Sequence, residues 1–227
     1  MPTDTVAFTI DLFGKHLSLT WWIIFGLAGG NALFSSRVIL QWWASERAGR
    51  TVVPVSFWWI SVVATAVHFI YACHIREIPF MIMLSVTLVP YVRNLSIHYR
   101  PNRPPLPMIP MLVVSVVLTL IPTFFFGYKN RDHLDGWIVL GLVGTFIYSS
   151  RFFVSWIESE RNRQATLSLK FWWISLIGSL LMLAYALIRH NLVFILAFLF
   201  NGIPFVRNIM LTGRQNKAAA VASECGG

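Results

Sequence analysis

Seven stretches of about twenty mostly apolar residues, joined by short polar links, leave this chain few ways to fold. They begin near Leu19, Val55, Ile78, Pro107, Leu134, Leu169 and Asn191. Charged residues make up 12% of the 227 residues and hydrophobic ones 56%, with a mean hydropathy of +0.66. A soluble domain carries about 25% charge, so a water-facing surface could not be built around such a core. Disorder is excluded by the same numbers. Cys73 and Cys225 are too few for a disulfide framework or a thiolate zinc site, and no metal is expected. Residues 1–18 lack the basic start and apolar core of a signal peptide. Hydrocarbon leaves backbone polar groups no partner but each other, and a helix satisfies them within one segment. The expected class is an all-α integral membrane protein with seven transmembrane helices.

The net charge is +9. Its basic residues sit in the links between apolar stretches, where they orient the spans and meet anionic lipid; a nucleic-acid site would need a basic face on a folded domain. Lys15, Arg76, Lys129, Arg131 and Arg189 fall on one side; the other carries eleven basic residues, among them Arg47, Arg93, Arg161, Arg207 and Lys217. The richer side is expected in the cytoplasm, with the C-terminus cytoplasmic and the N-terminus outside.

The chain repeats itself at a constant offset of 114 residues. Ser36-Arg37 returns as Ser150-Arg151, Ser45-Glu46-Arg47 as Ser159-Glu160-Arg161, Phe57-Trp58-Trp59-Ile60-Ser61 as Phe171-Trp172-Trp173-Ile174-Ser175, and Pro90…Arg93-Asn94 as Pro204…Arg207-Asn208. Across 36–95 and 150–209 there are 18 identities in 60 positions. Shared apolar composition inflates such a count but does not pair Arg, Glu, Pro and Asn. A three-span repeat ends on the side opposite its start, and one joining span restores the orientation. The expected organisation is therefore 3+1+3: a first three-helix repeat over 19–97, a joining helix over 107–127, a second repeat over 134–211 and a cytoplasmic tail over 212–227. The repeats are parallel, and binding sites of repeat transporters typically form where repeats meet.

The runs Ser36-Arg37…Gln41-Trp42…Ser45-Glu46…Phe57-Trp58…Ser61 and Ser150-Arg151…Trp156…Ser159-Glu160…Phe171-Trp172…Ser175, each followed by a Tyr and then Arg-Asn, resemble the lipid A biosynthesis N-terminal domain family in two tandem copies. That family is similar in topology to the PQ-loop and SWEET transporters, which also pair three-helix bundles. The resemblance implies a bacterial inner-membrane protein of lipid A or lipopolysaccharide synthesis, since the domain occurs ahead of lipid-A-disaccharide synthase and other glycosyltransferase catalytic domains. No such catalytic domain is read in these 227 residues. The second copy has Ser155 where the first has Gln41, and Ser168 where the first has Pro54, so the two copies need not form equivalent sites.

Arg37 and Arg151 lie inside spans, where an arginine at the helix centre costs about 2.5–3.5 kcal/mol on insertion scales. Either they reach inward to hold a phosphate with the two arms of the guanidinium, or they snorkel to the interface or pair with Glu46 and Glu160. Arg93-Asn94 and Arg207-Asn208 end the third span of each repeat, as topology anchors or as further headgroup contacts. Gln41, Asn31 and Asn201 are amides within spans and need partners; Asn201 falls where the resembled sugar transporters carry a pocket Asn. Trp58, Trp59, Trp172 and Trp173 fit an interfacial aromatic belt or the walls of a sugar site. Pro90 and Pro204 interrupt the third helix of each repeat, as a static bend or a gating hinge. His68 and His74 are not at metal-binding spacing, and no nucleotide-binding motif is present, so no cofactor is expected.

The sequence thus points to a protein that binds a membrane lipid or lipid-linked sugar and moves it between leaflets. Two alternatives stay open: a non-catalytic subunit that recruits a separately encoded glycosyltransferase, and a membrane enzyme acting on the lipid.

Overall fold

A computed structural model describes residues 5–12, 15–48, 54–100, 102, 104, 106–122, 124, 136–162 and 169–225. The basic residues Arg50, Arg103, Lys129, Arg131 and Arg163 lie outside that set, as do Ser168 and the side chains of Glu46, Ser155 and Glu160. The chain parts into two compact units, Met1–His133 and Leu134–Gly227.

The first unit opens with an antiparallel hairpin of β1 (Val6–Leu12) and β2 (Lys15–Thr20), pairing Leu12 with Lys15 and Val6 with Thr20. This element was not anticipated. Its signal is the alternation of Val6, Phe8, Ile10 and Leu12, too short to register beside the long apolar runs. Thr20 then caps a helix, its hydroxyl accepting from the Ile23 amide at 3.3 Å. The helix runs as α1 (Trp21–Ile24), a π-helical stretch over Phe25–Asn31, and α2 (Ala32–Ala48). α3 (Val55–Ile75), α4 (Ile78–Tyr99) and α5 (Met108–Pro122) complete the unit. α3 packs against both α2 and α4, and α5 against α4, where the hydroxyls of Ser85 and Thr119 bond at 2.6 Å in a buried contact. The second unit is α6 (Trp137–Asn162), α7 (Leu169–Ile188) and α8 (Leu192–Cys225), with α7 packed on both others.

The π-helical stretch has a counterpart in the sequence. From Ser36 onward the repeat offset is 114, but upstream Trp22-Ile23, Gly26-Leu27 and Gly29 match Trp137-Ile138, Gly141-Leu142 and Gly144 at an offset of 115. The first repeat holds one extra residue here, and a π turn is how a helix absorbs one.

The turn from second to third helix is the same in both units. Arg76 and His190, 114 residues apart, both adopt the left-handed conformation, at φ 59° and 50°. The Glu77 amide bonds the Ala72 carbonyl at 3.2 Å, and the Asn191 amide the Ala186 carbonyl at 3.0 Å. This is the helix-ending arrangement that satisfies the last carbonyls. It holds although neither position is the usual glycine.

Among the described helices, six are long and apolar enough to cross a membrane: Trp21–Gln41, Val55–Ile75, Ile78–Tyr99, Trp137–Val154, Leu169–Ile188 and Leu192–Met210. Side chains such as Ile109, Phe146 and Ile203 stand exposed, as a lipid-facing surface requires. A largely helical membrane protein fits all of this. Of the expected fourth span, the described residues form a shorter apolar helix, Ile109–Ile121 within α5, while residues 123 and 125–127 lie outside the described set. α8 continues through most of the segment expected as a tail, to Cys225.

Small residues let helices approach closely. A Cβ on Gly178 of α7 would lie 2.6 Å from the Tyr148 Cα of α6, and a Cβ on Gly30 would overlap the His68 ring. A Cβ on Gly202 of α8 meets nothing within 4 Å. Gly178→Ala is therefore expected to destabilise by about 1–3 kcal/mol through overpacking against backbone, while Gly202→Ala is neutral or stabilising. Thermal unfolding of both variants in detergent checks the contrast.

Candidate functional site

In the first unit the site grows from α2. Arg37 lies one turn before the end of its span and is half-buried. Its Nη1 donates to the Ser61 hydroxyl of α3 at 2.8 Å and to the Tyr91 hydroxyl of α4 at 3.0 Å. One side chain thus links all three helices. Its guanidinium carbon lies 4.5 Å from the Phe34 ring centroid, 5.1 Å from Phe57 and 5.6 Å from Tyr91. Aromatic faces of this kind stabilise a cation removed from water. Ser61 can accept from Arg37 because its own proton goes to the Phe57 carbonyl at 2.6 Å. The Arg37 Nε is buried without a partner.

The second unit builds the same frame with altered parts. Arg151 is 5% exposed. Its guanidinium carbon lies 3.6 Å from the Tyr148 centroid, 4.6 Å from Phe152 and 5.7 Å from Phe205. Ser175 donates to the Phe171 carbonyl at 2.6 Å, as Ser61 does to Phe57. Trp172 meets Phe205 at 6.3 Å and 45°, as Trp58 meets Tyr91 at 6.1 Å and 46°. The hydroxyl has moved, however. Phe34 and Tyr91 of the first repeat correspond to Tyr148 and Phe205 of the second, so the phenol that accepts from Arg37 has no equivalent at Phe205. The Arg151 Nε is also buried without a partner.

The other candidates divide. Arg93 is half-buried with an unpartnered Nε, whereas its counterpart Arg207 is exposed. Asn94 donates to the Pro90 carbonyl at 2.7 Å and so is engaged with its own helix. Asn208, Gln41 and Asn201 are half-buried. Pro90 and Pro204 lie inside α4 and α8. The bonds described here join Arg37 to Ser61 and Tyr91, not to Arg93 or Asn94. Trp59 is exposed and donates to the Tyr99 hydroxyl at 3.1 Å, as interfacial aromatics do.

Asn31 meets His68, Oδ1 to Nε2 at 2.9 Å, and the His68 ring stacks on Phe34 at 5.2 Å. The matching positions in the second unit, Thr145 and Met182, are also in contact, at 3.6 Å. Among the described residues no cluster of three or more His, Cys, Asp or Glu could hold a metal. The sequence marked both arginines as site candidates, but Phe57 and Ser61 only as repeat and family-motif residues, and Phe34 and Tyr91 not at all. The available signal was the reciprocal exchange of Phe34 and Tyr91 for Tyr148 and Phe205 at the repeat offset.

Comparison with known proteins supplies the context. The lipid A biosynthesis N-terminal domain family matches residues 25–96 and 140–210, one match in each unit. Among curated proteins, the lipid-A-disaccharide synthase of Chlamydia felis is 28% identical over 203 residues, covering 82% of this chain and 32% of its own length. That of Chlamydia trachomatis serovar D is 26% identical over 231 residues, covering 94% of this chain and 38% of its own. The chain thus spans about a third of the relatives it matches. No solved structure matches.

Because Ser61 bonds a guanidinium and Ser175 occupies a frame without the second phenol, Ser61→Ala is expected to cost about 1 kcal/mol more than Ser175→Ala, the order of a hydrogen bond to a charged group reduced for a membrane interior. Unfolding of the two variants in mixed micelles measures the difference.

Proposed function

The chain belongs to the lipid A biosynthesis N-terminal domain family, and from that premise we propose that it binds a phosphate-headed lipid or lipid-linked sugar in the bacterial inner membrane and moves it between leaflets. The observation that carries this reading is a guanidinium in each family match, set within a membrane span among aromatic rings, with a buried Nε that has no partner. Such a group is costly in hydrocarbon and repaid by a ligand that brings anionic oxygen. The proposed arrangement is 3+1+3, two parallel repeats joined by α5, with the C-terminus cytoplasmic as the distribution of Lys and Arg supports. Arg93, Asn94, Arg207, Asn208, Gln41 and Asn201 are candidate contacts to the rest of the headgroup, and Pro90 and Pro204 candidate hinges.

Purified protein in liposomes is expected to transfer a labelled polyprenyl-phosphate sugar across the bilayer; absence of flux in intact vesicles rejects translocation. Binding of the same lipid is expected to fall at least about tenfold, 1.4 kcal/mol, in the double variant Arg37→Ala/Arg151→Ala, and normal binding by a folded double variant rejects the headgroup role.

One observation favours a second reading, in which the protein recruits a separately encoded glycosyltransferase. The relatives that carry the matching region are named lipid-A-disaccharide synthase, and the match fills only about a third of them. Co-purification of a glycosyltransferase with the tagged chain, in the absence of flux, would select this role.

A further inference from the structure

The two arginine sites share a frame but not a bonding pattern, and the difference identifies which one is available to a ligand. Resting on the headgroup reading above, we infer that one anionic phosphoryl group is held per chain, by Arg151 in the second repeat, while Arg37 serves as a tie between helices.

Arg37 already spends its Nη1 on two hydroxyls, Ser61 at 2.8 Å and Tyr91 at 3.0 Å, from two different helices. A ligand oxygen at that nitrogen would have to compete with both, and the side chain is held to two neighbouring helices. Arg151 is more deeply buried, at 5% exposed, and the second repeat places a phenyl ring where the first places a phenol. The rings around Arg151 cover the face of the cation, the Tyr148 centroid lying only 3.6 Å from the guanidinium carbon. A guanidinium's five N–H donors lie in its plane, so a ring on its face leaves them unused. The buried Nε without a partner is one of these donors, as it is in Arg37; what separates the two is that, among the described residues, Arg151 shows no hydroxyl bonds like the pair made by the Arg37 Nη1. A cation with its face covered and its Nε unsatisfied is matched by a planar pair of anionic oxygens, and the fork of Nε and Nη suits a phosphate or phosphonate. The walls are aromatic, and the span carrying Arg151, Trp137–Val154, is apolar, which favours a phosphoryl group attached to a lipid over free phosphate.

The frame also supplies a test. Phe205 stands 5.7 Å from the Arg151 carbon, and Tyr91 stands 5.6 Å from the Arg37 carbon. A hydroxyl added at Phe205 therefore reaches Arg151 as the Tyr91 hydroxyl reaches Arg37, and competes with a ligand. Short-chain phosphatidic acid and, separately, inorganic phosphate are titrated against the full chain in nanodiscs of neutral lipid. The expected results are one phosphatidic acid per chain, affinity lowered at least fivefold by Phe205→Tyr, and a loss with Arg151→Lys at least tenfold greater than with Arg37→Lys. Inorganic phosphate is expected to bind more weakly than the lipid at the same site; equal or tighter phosphate binding overturns the lipid assignment. Two lipids per chain, or a loss confined to Arg37→Lys with Phe205→Tyr silent, overturns the assignment to Arg151 while leaving the headgroup reading in place. No phosphatidic acid or phosphate binding by the wild type overturns both. If Arg37→Lys fails to fold, Phe205→Tyr and Arg151→Lys decide alone.

Discussion

A guanidinium within a membrane span has to be solvated by the protein, and the first repeat is organised around that requirement. Arg37 draws a hydroxyl from α3 and another from α4 while ring faces from all three helices surround it. Removing any one helix would leave the charge short of a partner. In a bilayer, where apolar contacts give helices little preference for each other over lipid, packing and polar bonds of this kind supply the association. Ser61 adds to the arrangement because its own proton is committed to the Phe57 carbonyl, leaving its oxygen free to accept.

Duplication let the second copy keep the frame and change the chemistry. The helix-ending turns at Arg76 and His190, the edge-on Phe57–Trp58 and Phe171–Trp172 pairs at 5.1 and 5.0 Å, and the serine-to-carbonyl bonds are the same in both units. Interior polar residues differ instead. Asn31 and His68 give way to Thr145 and Met182, and the phenol moves from the third helix to the first. A shared scaffold with divergent interior groups is what separate roles for two copies require.

The largely helical membrane class and the repeat were legible in the sequence because both depend on features that survive averaging: apolar length, and charged or proline residues paired at a fixed spacing. Arg37 and Arg151 were legible for the same reason, as costly residues at matching places. Their surroundings were not. Tyr91, Phe34 and Phe57 are ordinary members of apolar spans until the helices cross, and only the crossing shows that they face one cation. Asn31 was recognised as an amide needing a partner, but the choice of His68 depends on Gly30 letting that ring approach. The hairpin over Val6–Thr20 escaped because a short alternating pattern says little beside seven long apolar runs.

The extra residue in the first repeat bears on which way side chains point. Inserted into a regular helix, one residue would turn everything on one side of it by about 100° relative to the other. Trp22, before the π-helical stretch, stacks on His74 of α3 at 4.0 Å, and Arg37, after it, bonds Ser61 of the same helix. Both ends still look at α3. The wider turn has taken up the rotation locally, so the lengthened helix keeps a single seam along its neighbour from Trp22 to Arg37.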